Sequence, residues 1–266
     1  VTPFAVLKDG YRKVSMIDEC MIPDVAIIDA QLTKSLPKEI TCDTAFDALT
    51  HALEALVSTF SSDYTDGLAL EALRLIFEAL PETLKNPNSI VYRHKLHNAA
   101  TLAGMAIGNA SVGVNHALAH ALGARFDIAH GRANAAFLLS TIEYNSQIPS
   151  KFVSIPCYPL WVADRKYARA AQFIGLKDDA PATGETPATA DATTARGLAT
   201  INAGLVHSLR RAVYDLGRLA GQPLSVSELG IPLEAYQAAL PELVETALND
   251  MSVRSNPRYT LVPEVL

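Results

Sequence analysis

A chain of 266 residues, 49% hydrophobic and 19% charged, has apolar surface enough for one large core or two modest ones. A formal charge of -6 with scattered basic residues excludes an electrostatic footprint for nucleic acid or an anionic membrane. Cys20, Cys42 and Cys157 are too few and too far apart for a disulfide framework or a cysteine-ligated metal, which points to a reducing cytoplasm.

The opening VTPFAVLKDGYRK has no basic segment followed by an apolar one, so no secretory signal is visible. The chain also begins without Met, which reads as a processed or truncated fragment. FAVLKDG and KVSMID predict two short strands around a Lys-Asp-Gly turn, and VAIIDA, after Ile22-Pro23-Asp24, predicts a third. From about Leu36 onward the 3.6-residue period takes over. It predicts helices over 44–60, 64–80, 91–110, 114–123, 131–145, 164–174, 195–220 and 233–250. In the first of these, Phe46, Leu49, Leu53, Leu56, Val57 and Phe60 share an arc of roughly 100°, with Asp47, His51, Glu54 and Ser58 opposite. Taken alone, those four form a solvated face. Ala48, Ala52 and Ala55 on the flank would let another helix approach closely enough to bury Asp47 and His51.

No formal charge falls between Lys95 and Arg125, but His97, Asn98, Thr101, Asn109, Ser111, Asn115, His116 and His120 are too many polar groups for a membrane span. A buried helix or helix pair is predicted instead. Residues 178–196, DDAPATGETPATADATTAR, lack apolar periodicity and predict a mobile surface loop without chemistry. Neither GxGxxG nor GxxxxGKS occurs, no nucleophile sits in a GxSxG elbow, and no repeat or heptad run is visible.

Four of the seven histidines, together with one aspartate, carry the chemistry. Asp47 and His51 lie in FDALTHALEALV, His116 and His120 in VNHALAHALG, and His130 in IAHGRANA. Two pairs have the one-turn spacing that aims both side chains the same way. An isolated Asp/His pair on a helix is ordinarily surface. HALAH is different, because two histidines within an uncharged, small-residue helix must both be desolvated or face a cavity. One carboxylate with imidazoles suits Fe(II), Zn or a similar first-row ion, and a single anionic ligand leaves net positive charge to polarise a bound oxygen. His94, His97 and His207 read as surface or supporting residues, and Glu54 and Asp63 as candidates for ion pairs or for support of the ligands.

These segments resemble the iron-dependent (group III) alcohol dehydrogenases, and within them the alcohol dehydrogenase half of the bifunctional aldehyde-alcohol dehydrogenases. The resemblance rests on FDALTHALEALVS, HNAATLAGMAIGNASVGVNHALAHALGARFDIAHGRANA and SNPRYTLVPEVL in the right order, after PDVAIIDAQLTKSLP. KFVSIPCYPLWVADRKYARAAQFIGL resembles an insertion of the bifunctional enzymes. Thr44-Ala45-Phe46 and Ala129 depart from the usual Thr-Gly-Met and Pro, and neither change removes a ligand.

The resemblance implies a mainly α fold. It divides into a β-containing remnant of an α/β dinucleotide-binding domain over 1–35 and a helical metal-binding catalytic domain over 36–266. It assigns Asp47, His51, His116 and His130 to the metal and places His120 beside nicotinamide and substrate. Lys13, Ile40 and His120 become cofactor contacts. Hydride transfer between NAD(H) and a short primary alcohol such as ethanol is the implied activity, with Fe(II), or Zn, as Lewis acid and His120 as proton carrier. The implied partners are a missing N-terminal dinucleotide-binding half, without which the chain would be silent, and further copies in a homo-oligomer. Two rivals share the residues: a zinc polyol dehydrogenase like the glycerol dehydrogenases, and a non-catalytic metal-binding or assembly domain.

Overall fold

The computed structural model describes residues 1–9, 12–147, 163–178 and 195–265. Strands β1 (Phe4–Asp9) and β2 (Arg12–Ile17) pair antiparallel in the register Phe4↔Ile17 to Asp9↔Arg12. The turn between them lies outside the described residues, as do Cys157 and residues 179–194 of the predicted loop. VAIIDA is not a strand. The segment runs without sheet structure from 25 to 29 and then enters a 3-10 turn at Ala30–Thr33. Its β-branched composition favours a pleated surface, but a strand exists only through a ladder partner, and among the described residues it has none.

Helices follow. The first two are α1 (Lys38–Val57) and α2 (Asp63–Lys85), joined by a short turn. Pro37 precedes α1, where its fixed φ suits a helix entrance; the helix therefore begins six residues ahead of the predicted start at 44. At α2 the Ser62 hydroxyl accepts from the Thr65 N–H while Thr65 Oγ1 accepts from the Ser62 N–H, a reciprocal cap. Phe60 lies beyond the end of α1 and is largely exposed, so it leaves the predicted apolar arc. α3 (Ile90–Ala110) packs against both, through a seam of Ala99, Ala103, Ala106 and Ala110. Small side chains there let the axes approach closely.

α4 (Val114–Phe126) and α5 (His130–Ser146) follow one another closely and pack together, and α5 packs on α1. α6 (Ala163–Phe173) and α7 (Ala195–Ala220) close the main core, while α8 (Leu233–Asn249) covers α4; α9 (Val262–Val265) ends the described chain. Phe46, Leu49, Leu53, Leu73, Ile76, Leu138, Ile142, Tyr167 and Leu209 interlock in one buried cluster. Each such side chain contributes about 1.5–3 kcal/mol by leaving water. A second cluster joins Ala117, Leu122 and Ala133 to Leu243 and Ala247. Among the described residues, no helix is long and apolar enough to cross a membrane.

Candidate metal centre

Three helices meet around one half-buried point, with His116 and His120 buried and Asp47, His51 and His130 partly open. α1 supplies Asp47 and His51 one turn apart, α4 supplies His116 and His120 one turn apart, and His130 is the first residue of α5. Close crossing of α5 over α1 depends on Gly131, where a Cβ would overlap the Asp43 carbonyl oxygen. Only a residue without a side chain lets His130 come this near to Asp47.

The Nε2 atoms of His130, His116 and His51 lie 3.4, 3.7 and 3.9 Å from a single oxygen, Asp47 Oδ1. Ligand atoms of Asp47, His51 and His116 all fall within 4.8 Å of one another. For bonds of about 2.1 Å in tetrahedral geometry, neighbouring ligand atoms stand about 3.4 Å apart. The spacing of Asp47, His51 and His116 therefore suits one first-row cation, and His130 Nε2 lies near the same Asp47 oxygen. Their rings are packed: His51 stacks on His116 with centroids 4.6 Å apart, and His120 on His130 with centroids 5.1 Å apart.

Charge in this cluster follows from its neighbours. Burial alone would raise the Asp47 carboxyl, but His51, His116 and His130 hold it well below the usual carboxylate range. Burial pushes the His51 imidazole down to about 4, against the pull of Asp47. Burial also opposes charge on His116, yet Asp47 and Glu54 lift it to about 9. Without a cation, Asp47 thus stays anionic and His51 neutral at neutral pH.

A polar frame surrounds the five residues. Asn134, fully buried, donates from Nδ2 to Asp47 Oδ1 at 2.7 Å and accepts from Asn115 Nδ2 at 2.9 Å. Glu54 Oε2 lies 2.5 Å from His116 Nδ1, and Glu54 Oε1 accepts from the Asn115 N–H at 2.7 Å. The neighbouring Val114 N–H is met by Asn256 Oδ1 at 3.2 Å, so two N–H groups of the first turn of α4 are satisfied by side chains. His120 Nδ1 meets Asp250 Oδ2 at 2.7 Å.

Glu54 stood in the sequence as one candidate for support. Asn134, Asp250, Asn115 and Asn256 were not singled out. Asn134 could have been, since it follows His130 by the same one-turn spacing; Asp250 lies 130 residues from its partner and no local pattern announces it. Asp63 heads α2, away from these contacts. Ile40 is exposed on the first turn of α1, about two turns before Asp47. Lys13 sits opposite Lys8 in the hairpin, and its side chain lies outside those described. His94 and His207 are exposed, and His97 Nε2 pairs with Thr33 Oγ1 at 2.9 Å.

A sequence model described as the Fe-containing alcohol dehydrogenase family, C-terminal, matches residues 41–266, and the chain belongs to this family. An aldehyde-alcohol dehydrogenase of Streptococcus pneumoniae is 39% identical over 264 residues, covering 98% of this chain and 27% of that protein. A 1-propanol dehydrogenase of Salmonella typhimurium is 36% identical over 264 residues, covering 97% of this chain and 62% of that protein. Among solved structures, alcohol dehydrogenase from Oenococcus oeni matches with a TM-score of 0.80 at 27% identity, over 99% of this chain and 60% of that one. The chain spans less than two thirds of the length of each of these relatives.

Proposed function

We propose that this chain is the metal-binding part of an NAD-linked dehydrogenase that interconverts short primary alcohols, such as ethanol, and their aldehydes. Asp47, His51, His116 and His130 hold a divalent ion, Fe(II) from the family description, with Zn accepted by the same donors. The observation that carries this reading is the gathering of three imidazole nitrogens around one carboxylate oxygen at the spacing of a single coordination sphere. When bound, the ion supplies Lewis acidity, easing loss of the alcohol proton in one direction and polarising the aldehyde carbonyl in the other. Asp47 contributes the one negative charge, and burial keeps the His51 lone pair available at neutral pH. His120, stacked on His130, carries a proton at Nε2 between the substrate oxygen and solvent.

The nicotinamide supplies the hydride chemistry, and a dinucleotide-binding half positions it. Residues 1–35 form the edge of that half and 36–266 the metal-binding domain. Val25, Ile27 and Leu32 support this division, because they stand 76%, 86% and 80% exposed along a segment whose composition suits a sheet. Lys13 and Ile40 then become contacts to the cofactor.

Anaerobic purification of the protein from its complete coding sequence, followed by metal analysis and an ethanol and butanol oxidation assay, tests the proposal. Stoichiometric iron or zinc with alcohol-dependent NAD reduction is expected. Bound metal without any alcohol-dependent reduction would leave an assembly or storage role instead.

A further inference from the structure

The two histidines of α4 share a feature that their spacing does not require. Each Nδ1 meets a buried carboxylate: Glu54 Oε2 at 2.5 Å for His116 and Asp250 Oδ2 at 2.7 Å for His120. In each carboxylate the other oxygen is fixed by a backbone N–H, that of Asn115 on Glu54 Oε1 at 2.7 Å and that of Ser252 on Asp250 Oδ1 at 2.8 Å. Glu54 and His116 are each 2% exposed, and His120 is 7% exposed. Gly113 adds a third constraint on the first carboxylate, since a Cβ there would stand 2.8 Å from Glu54 Oε1.

An ionised carboxylate only accepts hydrogen bonds, so both rings must carry their hydrogen on Nδ1. The lone pair then resides on Nε2, the nitrogen on the far side from each carboxylate. For His116 that nitrogen already faces Asp47 and lies 3.3 Å from Asn134 Nδ2. We propose that Glu54 and Asp250 are a matched pair of positioning residues that lock the tautomer of both α4 histidines, so that His116 presents Nε2 to the cation and His120 presents Nε2 to the substrate. The inference rests on the metal site proposed above. Neither carboxylate is a ligand; each acts through the ring it holds.

The backbone anchors make the claim sharp. In Glu54→Gln the atom facing the Asn115 N–H has to be oxygen, which turns the NH2 group onto His116 Nδ1. That nitrogen must then accept, and the ring hydrogen moves to Nε2, where it blocks the cation. Asp250→Asn does the same to His120 through the Ser252 N–H. A merely packing or ion-pair role gives the opposite ranking, with the isosteric amide mild and alanine severe.

The test measures zinc affinity of the chain, its E54Q and E54A variants and D250N, with 15N spectra of the histidine rings in the zinc-loaded proteins and a melting curve for each. E54Q is expected to bind zinc about tenfold or more weakly, and no better than E54A, while melting cooperatively. D250N is expected to move the His120 hydrogen from Nδ1 to Nε2. Wild-type affinity in E54Q, or unchanged ring-nitrogen patterns, overturns the proposal. If E54Q does not fold, the D250N spectrum decides. Failure of the wild-type chain to bind zinc would instead overturn the metal site itself. Ring-nitrogen spectra of the metal-free wild-type and D250N proteins would then still show whether Asp250 locks the His120 ring.

Discussion

The metal centre and the segment leading into α1 are built on opposite terms. Around His116 both oxygens of Glu54 and both side-chain polar atoms of Asn134 have partners drawn from this chain, the buried Asn115 Oδ1 has none, and the His116 residue is 2% exposed. Along 25–32, by contrast, Val25, Ile27 and Leu32 project into solvent. A site that satisfies its own hydrogen bonds is preorganised without help, whereas an apolar extended segment with no ladder partner gains stability only from what covers it. On the function proposed above, the difference assigns cation capture to this chain and leaves the cofactor side to a second body.

Breaking the closed side gives the largest effect. Asp47→Asn removes the only anionic donor of the proposed ligand set, and bound iron or zinc is expected to fall to background by elemental analysis of anaerobically prepared protein. Metal retained at wild-type stoichiometry would remove Asp47 from the ligand set. Gly131→Ala forces a Cβ into the Asp43 carbonyl and pushes α5 off α1. Overpacking of this kind costs about 1–3 kcal/mol, so a lower midpoint in urea and weaker zinc binding are expected together. Unchanged values for both would mean that the helix crossing is looser than it looks.

Acid probes the outer edge of the same site. Burial opposes charge on Asp250, but the His120 and Ser252 hydrogen bonds bring its carboxyl down from 3.8 to about 2. A folded-state pKa below the unfolded one means stability that is present above 3.8 and lost as pH falls toward 2. A shift of this size corresponds to roughly 2 kcal/mol. Urea titrations between these limits should show a slope that D250N flattens; an identical slope in D250N would assign the acid loss to other carboxylates.

The open side should respond least. Ile27→Ser is expected to change the stability of this chain by less than about 0.5 kcal/mol, because nothing here covers the side chain. In the protein from the complete coding sequence the same change should cost more, and equal small effects in both settings would break the comparison.

Much of this was legible from residue order. Period 3.6 marked α1 to α8, and one-turn spacing marked both histidine pairs, since a helix converts sequence distance directly into direction. VAIIDA misled because β-branched composition says nothing about whether a neighbouring strand exists. Phe60 misled because the periodic arc was carried past the turn where α1 stops. Asn134 was within reach of the same spacing argument, but Asp250 was not: its partner is set by how the end of α8 folds back onto α4, a relation that no local window contains.

The hold of Asp250 on His120 also sets an order of events during synthesis. Ligand candidates from Asp47 to His130 leave the ribosome well before Asp250 does. At cellular elongation rates the interval is roughly ten seconds. In that interval a nascent chain already contains every proposed cation donor while the ring of His120 still lacks its anchor.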